Sequence, residues 1–335
     1  MYNDEKNNKR ITLGECSGPY SVAFTITSKC NFYCRHCYNN SGEDIYEDLS
    51  DAELLKVTEQ ICELNPMSVC LCGGEPLIRG RVVYEIVKRL ASECGIVNIV
   101  TNGSTINERV LEDLKVCGVN TIQISLDGDS PFSHENIRMK QGAFKMAINA
   151  IRLSAKKGFR VAVSCCPSKL NKGTIEGVCK LVKGLGANEL RLMPLILMGR
   201  GENMLRLRLD ADEYLLLQQQ LEMLKKKYQD SCFSISWGDP LDHLFRMPQN
   251  SNNNMSSYSM EIRSDGKLSV STYLPIVVGD VKKHSLKEYW EAGYKDIWGN
   301  NEVRRYIGSL YSTNQFNSFK PKPYKGEDIE IDLIV

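Results

Sequence analysis

The chain reads as an α/β protein, a partial (β/α)6 TIM-like barrel followed by a small C-terminal α+β extension. Two observations predict this. Short apolar runs alternate with helix-length amphipathic stretches six times between about residues 20 and 230. Beyond that point the texture changes to a polar, Asn- and Ser-rich stretch and an Asp-Gly hairpin. The organisation expected is an N-terminal segment (1–19), the barrel (20–230), and the extension with its tail (231–335). A chain of 335 residues can bury a core of this size.

The six strands are expected at 22–27, 68–72, 97–101, 121–125, 160–164 and 189–193, where apolar and β-branched residues cluster. Helices are expected between them at 51–64 with Ser50 as cap, 81–93, 107–117, 142–157 and 172–185, with 210–228 closing the series. In the extension, 248–257 reads as a loop and 260–270 as a hairpin turning at Asp265-Gly266. A helix is expected at about 285–293. The last residues, 328–335, alternate acidic and apolar side chains like a half-buried strand. That strand would pair with the extension's own hairpin, or else lie over the barrel mouth or offer an edge to a peptide.

A net charge of +1 gives no electrostatic reason to expect nucleic acid or an anionic membrane as partner. The polar first ten residues carry no signal peptide, and no apolar stretch approaches a membrane span, so the expected location is the cytoplasm. Thirteen cysteines, an odd number in a large chain, fit reduced thiols better than a disulfide framework.

Three of those cysteines, Cys30, Cys34 and Cys37, follow the first apolar run at CxxxCxxC spacing. They offer three thiolates to a centre that wants four. A four-iron cluster held this way keeps one iron free of protein, able to bind and reduce something. Zinc is the competing reading, but a closed tetrahedral site needs a fourth ligand, and only His36, between two of the thiols, is near.

The run Cys30-Asn31-Phe32-Tyr33-Cys34-Arg35-His36-Cys37 resembles the CxxxCxΦC signature of the radical S-adenosylmethionine (radical SAM) enzymes. Three further motifs follow their strands in that family's order: Gly73-Gly74-Glu75-Pro76, Thr101-Asn102-Gly103 and Ser125-Leu126-Asp127-Gly128. His134 and Arg138 extend the last in a way similar to the branch with SPASM or shorter twitch extensions. The resemblance runs from about residue 20 to 300 and is most specific in its first half.

The resemblance implies one 4Fe-4S cluster on Cys30, Cys34 and Cys37, with S-adenosylmethionine chelating the open iron. The electron then breaks the bond from sulfur to the 5′ carbon, and the protein supplies placement. It implies that Gly73 and Gly74 admit close approach of the cofactor, that Glu75, beside Pro76, accepts from its ammonium, and that His36 lies against adenine with Tyr38 as apolar cover. Asn102 and Ser125 would meet the ribose or the carboxylate. Arg138 would pair with that carboxylate. Each of these residues could instead serve only packing or turn geometry. Cys165 and Cys166, after the fifth strand, are candidate hydrogen-atom donors, although free cysteines are commonly core residues.

One departure stands out. Where relatives carry a cysteine after the DGxxxxC turn, this chain has Ser271, and it has no cysteine after Cys232. The scaffold of the extension is kept without thiolates for auxiliary clusters. The implied activity is hydrogen abstraction from a peptide, with a small metabolite or tetrapyrrole as the alternative substrate and a non-catalytic metal-binding scaffold as the alternative class. A reductant such as flavodoxin or ferredoxin would be needed. With 29 residues before Cys30, a peptide would be bound directly or through a separate leader-binding protein.

Overall fold

In the computed structural model, residues 17–252, 257–310, 313–318 and 324–334 are described. Among them, eleven strands form one sheet. Seven parallel strands run in chain order: β1 (Ser21–Thr25), β2 (Ser68–Cys72), β3 (Ile96–Thr101), β4 (Thr121–Ser125), β5 (Arg160–Cys165), β6 (Glu189–Leu192) and β7 (Ser234–Trp237). The first six are the expected ones, shifted by a residue or two at their ends. The seventh was missed because four residues, with one fully apolar inward position, give too little periodicity to read.

Between them lie α1 (Asp51–Leu64), α2 (Arg81–Glu93), α3 (Glu108–Cys117), α4 (Pro131–Arg138), α5 (Ala143–Lys156), α6 (Ile175–Gly184) and α7 (Ala211–Tyr228). Helix α1 starts as expected, with Ser50 and Glu53 capping each other. Helix α4 falls where the sequence suggested only a loop. Its start is nonetheless legible afterwards: Ser130 caps it and Pro131 stands in its first turn.

Most barrel strands alternate, and their two faces differ in chemistry. Val22 and Phe24, Val69 and Leu71, Ile122 and Ile124, and Leu190 and Leu192 are buried in one apolar core with helix residues such as Ile61, Val83, Leu114 and Ala150. The opposite, half-buried positions are Ala23 and Thr25, Cys70 and Cys72, Gln123 and Ser125, and Glu189 and Arg191. Parallel strands are usually apolar on both faces. A row of small and polar side chains on the face without helices therefore marks the working surface.

The extension continues this sheet. Strand β8 (Ser259–Ile262) pairs parallel with β1 on the side away from β2, Ser21 opposite Ser259. It turns through Asp265-Gly266, where Gly266 has φ +90°, into β9 (Lys267–Ser269). Strand β10 (Ile276–Asp280) follows antiparallel, and the tail supplies β11 (Ile329–Glu330), parallel to β10 at the sheet's edge. The tail thus forms two residues of strand on the extension, shorter than its alternation suggests. Helix α8 (Pro240–Asn252) also corrects the sequence reading, since it runs through Pro248 into the stretch expected to be loop. Proline costs it a backbone hydrogen bond, and buried Leu244 and Met247 anchor it. Residues 253–256 of that stretch lie outside the described residues. Helices α9 (Leu286–Glu291) and α10 (Asn301–Gly308) close the described fold, α9 with a Ser285–Glu288 capping box. No described helix is long and apolar enough to cross a membrane.

Candidate functional site

The loop after β1 carries Cys30, Cys34 and Cys37, and each sulfur has an N–H aimed at it. The Phe32 amide lies 3.4 Å and the Asn102 Nδ2 3.9 Å from the Cys30 sulfur. Arg138 Nη1 lies 3.8 Å from Cys34, and the Ser41 amide 3.3 Å from Cys37. Burial pushes the Cys30 thiol up to about 11 and raises Cys34 as well. Thiolates there need a cation beside them, which a bound metal centre supplies. Among the described residues, no three His, Cys, Asp or Glu side chains converge on one ion-sized point. Thiolates of a cluster attach to different irons and need not converge on one point, and N–H donors around the sulfurs are what such clusters use for tuning.

The loop is held from three sides. Asp48 accepts from the Ser28 amide at 2.8 Å and the Thr27 hydroxyl at 2.6 Å. From the segment after β6, Arg200 donates to the carbonyls of Cys34 (3.0 Å) and Ser41 (2.9 Å), with its guanidinium 3.9 Å from the Tyr33 ring centre. Its own amide donates to the Cys37 carbonyl at 2.9 Å. Gly199 is required there, because a Cβ would sit 2.6 Å from the Cys37 carbonyl oxygen. From the turn after β2, the amides of Gly74 and Glu75 donate to the carbonyls of Thr27 and Lys29.

That last contact gives the two glycines a role within the protein itself. A Cβ on Gly73 would lie 2.4 Å from the Thr27 carbonyl oxygen, and one on Gly74 2.1 Å from that of Lys29. Their missing side chains make room for the cysteine loop itself. Glu75 is fully buried and accepts from Thr101 Oγ1 (2.8 Å), the Asn102 amide (2.7 Å) and the Leu77 amide (3.2 Å). Burial pushes its carboxyl up to about 7 against these donors. Its Oε2 accepts from one donor among the described residues, the Asn102 amide. Pro76 opens the short 3-10 turn that positions Glu75.

The remaining candidates gather around a residue the sequence gave little weight. Asp127, fully buried at the end of β4, accepts from Arg138 Nε at 2.6 Å and the Cys166 amide at 2.8 Å, and its Oδ2 lies 3.0 Å from His36 Nε2. Its amide donates to His134 Nδ1, and Asn171 donates to its carbonyl. Burial opposes its charge, yet Arg138 and then His36 hold its carboxyl well below the usual range. His134 is pushed down to about 4 by burial, and then by Arg138, so it stays a neutral acceptor. Arg138 therefore directs Nε to Asp127 and Nη1 to the Cys34 sulfur. Asn102 is likewise committed, donating to Asn31 Oδ1 at 2.9 Å.

Ser125 faces the working surface with no side-chain partner among the described residues. Tyr38 lies elsewhere than expected: its ring meets Tyr324 at 5.9 Å and Tyr273 at 6.3 Å, against the extension. Cys165 follows Val161 and Val163 onto the helix-packed face and is 1% exposed, so it cannot present its thiol to the working surface. The Cys166 side chain packs against the apolar cluster of Leu195, Leu197 and Met204.

A strand-end site of this kind, on an open sheet of parallel strands backed by helices, defines a barrel enzyme that places cofactors at one mouth. Residues 24–182 match the Radical SAM superfamily, so the chain carries a domain of that superfamily, whose named relatives are enzymes. A domain of that superfamily implies an iron–sulfur cluster and S-adenosylmethionine as cofactors. The chain is 26% identical over 300 residues to an AdoMet-dependent heme synthase of Methanosarcina barkeri, covering 82% of this chain and 83% of that protein. It is 28% identical to the sporulation killing factor maturation protein SkfB of Bacillus subtilis, over 65% of this chain and 53% of SkfB, so it spans about half of that relative. In fold it is similar to SuiB of Streptococcus suis, solved with its precursor peptide SuiA, at a TM-score of 0.67 and 13% identity over 88% of this chain and 68% of SuiB.

Proposed function

We propose that this chain holds a single four-iron cluster on Cys30, Cys34 and Cys37 and uses it with S-adenosylmethionine to remove a hydrogen atom from a peptide. The observation that carries the proposal is the set of N–H donors converging on three sulfurs in one loop, braced by Arg200, Asp48 and the Gly73-Gly74 turn. When bound, the cluster supplies the electron that splits the sulfonium into methionine and a 5′-deoxyadenosyl radical.

The chain's own residues place and shield. Asn102 and Arg138 orient donors toward the Cys30 and Cys34 sulfurs. Oε2 of Glu75 receives the methionine ammonium, and Ser125 lies in reach of the working surface. Asp127 fixes Arg138, His36 and the Cys166 backbone in one arrangement. With no cysteine after Cys232, the extension offers no thiolate for a second cluster in this chain, so the substrate radical is quenched without one. A flavodoxin or ferredoxin would supply the electron, and a separate leader-binding protein could deliver the peptide.

Peptide is preferred because SuiB was solved with a precursor peptide and SkfB is named for maturation of a killing factor. The heme synthase, matched over most of its length, supports a tetrapyrrole as second reading. The test is anaerobic turnover with dithionite, S-adenosylmethionine and, in parallel, a candidate precursor peptide encoded beside the gene or a porphyrin. Faster 5′-deoxyadenosine formation with a mass change on the peptide supports the proposal. The same response to the porphyrin alone overturns the substrate class.

A further inference from the structure

Where β1 meets the β8–β9 hairpin, a cavity of about 30 Å³ is lined by residues of both the cysteine loop and the extension, among them Ser28, Tyr38, Tyr46, Glu261, Arg263 and Tyr324. A single water needs about 10–15 Å³, so the space takes one small polar head group. Glu261 projects from β8 at a position alternate to the buried Met260 and Ile262, on the same face as Thr25 of β1. Its backbone amide is bonded to the Tyr294 hydroxyl, but its carboxyl makes no hydrogen bond or ion pair among the described residues.

Among the described residues, no neighbour supplies the missing counter-charge. Arg263, the cation lining the cavity, is committed to Asp265 at 2.8 Å and Asp328 at 2.7 Å, its guanidinium 4.1 Å from the Tyr46 ring centre. Arg191, which faces the same interior from β6, is held by Glu189 at 3.1 Å. The other groups that feel Glu261 are the thiols of Cys70 and Cys72 and the hydroxyls of Tyr38, Tyr273, Tyr294 and Tyr324, all raised by burial and so uncharged. His243, edge-on to Tyr273, is pushed down by burial and is neutral as well. Burial alone pushes Glu261 up to about 8. A half-buried carboxyl without a partner is costly. Tyrosine rings beside a carboxylate are the surroundings in which ammonium groups are recognised.

We propose that this cavity is a subsite for a primary ammonium group of the substrate, received by the Glu261 carboxylate and faced by the rings of Tyr38, Tyr46 and Tyr324. It deepens the reading of the chain as an enzyme acting at this face. It names what the substrate carries: a lysine side chain or a free amino terminus. Binding of the ammonium ionises Glu261, whose proton leaves to solvent, so affinity rises with pH while the amine stays charged.

The test is calorimetric binding to the cluster-loaded protein without reductant, so that a failure to cleave S-adenosylmethionine leaves the result readable. The probes are n-butylammonium, a capped pentapeptide with one lysine, and an alanine pentapeptide with a free amino terminus. Wild-type protein should bind n-butylammonium about tenfold tighter at pH 9 than at pH 6.5, and Glu261→Gln should remove both the affinity and its pH dependence. Of the two peptides, tighter binding of the first assigns the subsite to a lysine side chain and of the second to a terminus. Should Glu261→Gln fail to load iron, the wild-type pH dependence and Glu261→Asp decide. Binding of n-butylammonium that ignores pH or Glu261, or no binding at all, overturns the proposal.

Discussion

Replacing Asp127 by asparagine would remove the charge that Arg138 meets at 2.6 Å and that His36 faces at 3.0 Å. Breaking a buried pair on one side costs about 3–5 kcal/mol, because the partner's charge is left uncompensated. The expected outcome is a lower denaturant midpoint together with weaker S-adenosylmethionine binding, since Arg138 and His36 both lose their anchor. The pH dependence has a definite sign. A carboxyl held below its unfolded value stabilises the fold above the ordinary carboxylate range, and that contribution is lost only as pH falls through the lower folded value. Wild-type protein should therefore show an acid slope that Asp127→Asn lacks, and urea titrations between neutral and acid pH would show it. The cysteines, the glycines and Glu75 were legible because their chemistry is local: a spacing, a turn, a strand end. Asp127 was not, because its partners lie 11, 39 and 91 residues away and only the folded sheet brings them together. Arg200, which reaches a carbonyl 166 residues distant, was invisible for the same reason.

At the scale of elements, the turn after β2 and the cysteine loop behave as one unit. Gly74→Val would drive a branched side chain into the Lys29 backbone, 2.1 Å from where its Cβ must sit. The displacement falls one residue before Cys30. Iron retention on anaerobic reconstitution should drop several-fold in this variant, and S-adenosylmethionine affinity should fall with it. Full iron content with only the cofactor's affinity lowered would restore the simpler view that the glycines make room for the cofactor. The first six strands were readable because their apolar face repeats every second residue against helices of period 3.6. Strand β7 and the helix across Pro248 were not, since one buried apolar residue carries too little pattern and tertiary packing of Leu244 and Met247 outweighs a proline.

Over the whole molecule, the extension joins the barrel's own sheet at β1 and ends in β11, so the tail's strand lies at the sheet's edge, four strands from the cysteine loop's strand. Deleting 327–335 removes the pairing of Ile329 with Ile276 and the Arg263–Asp328 and Lys267–Glu330 ion pairs. The melting temperature should fall by a few degrees while 5′-deoxyadenosine formation persists. Loss of coupling to substrate in a stable protein would instead give the tail a part at the site. That the extension keeps its hairpin and capped helix was legible from Asp265-Gly266 and Ser285. Its fusion with the barrel sheet was not, because no local signal specifies which strand β8 will pair with. The central claim is one cluster on three cysteines, and the most direct measurement is iron and sulfide per chain after anaerobic reconstitution, in the wild type and in Cys30→Ala, Cys34→Ala and Cys37→Ala. About four irons in the wild type, with 5′-deoxyadenosine formed on reduction and none from any variant, is the expected result. Zinc without iron, or about eight irons that survive the three substitutions in part, would contradict it.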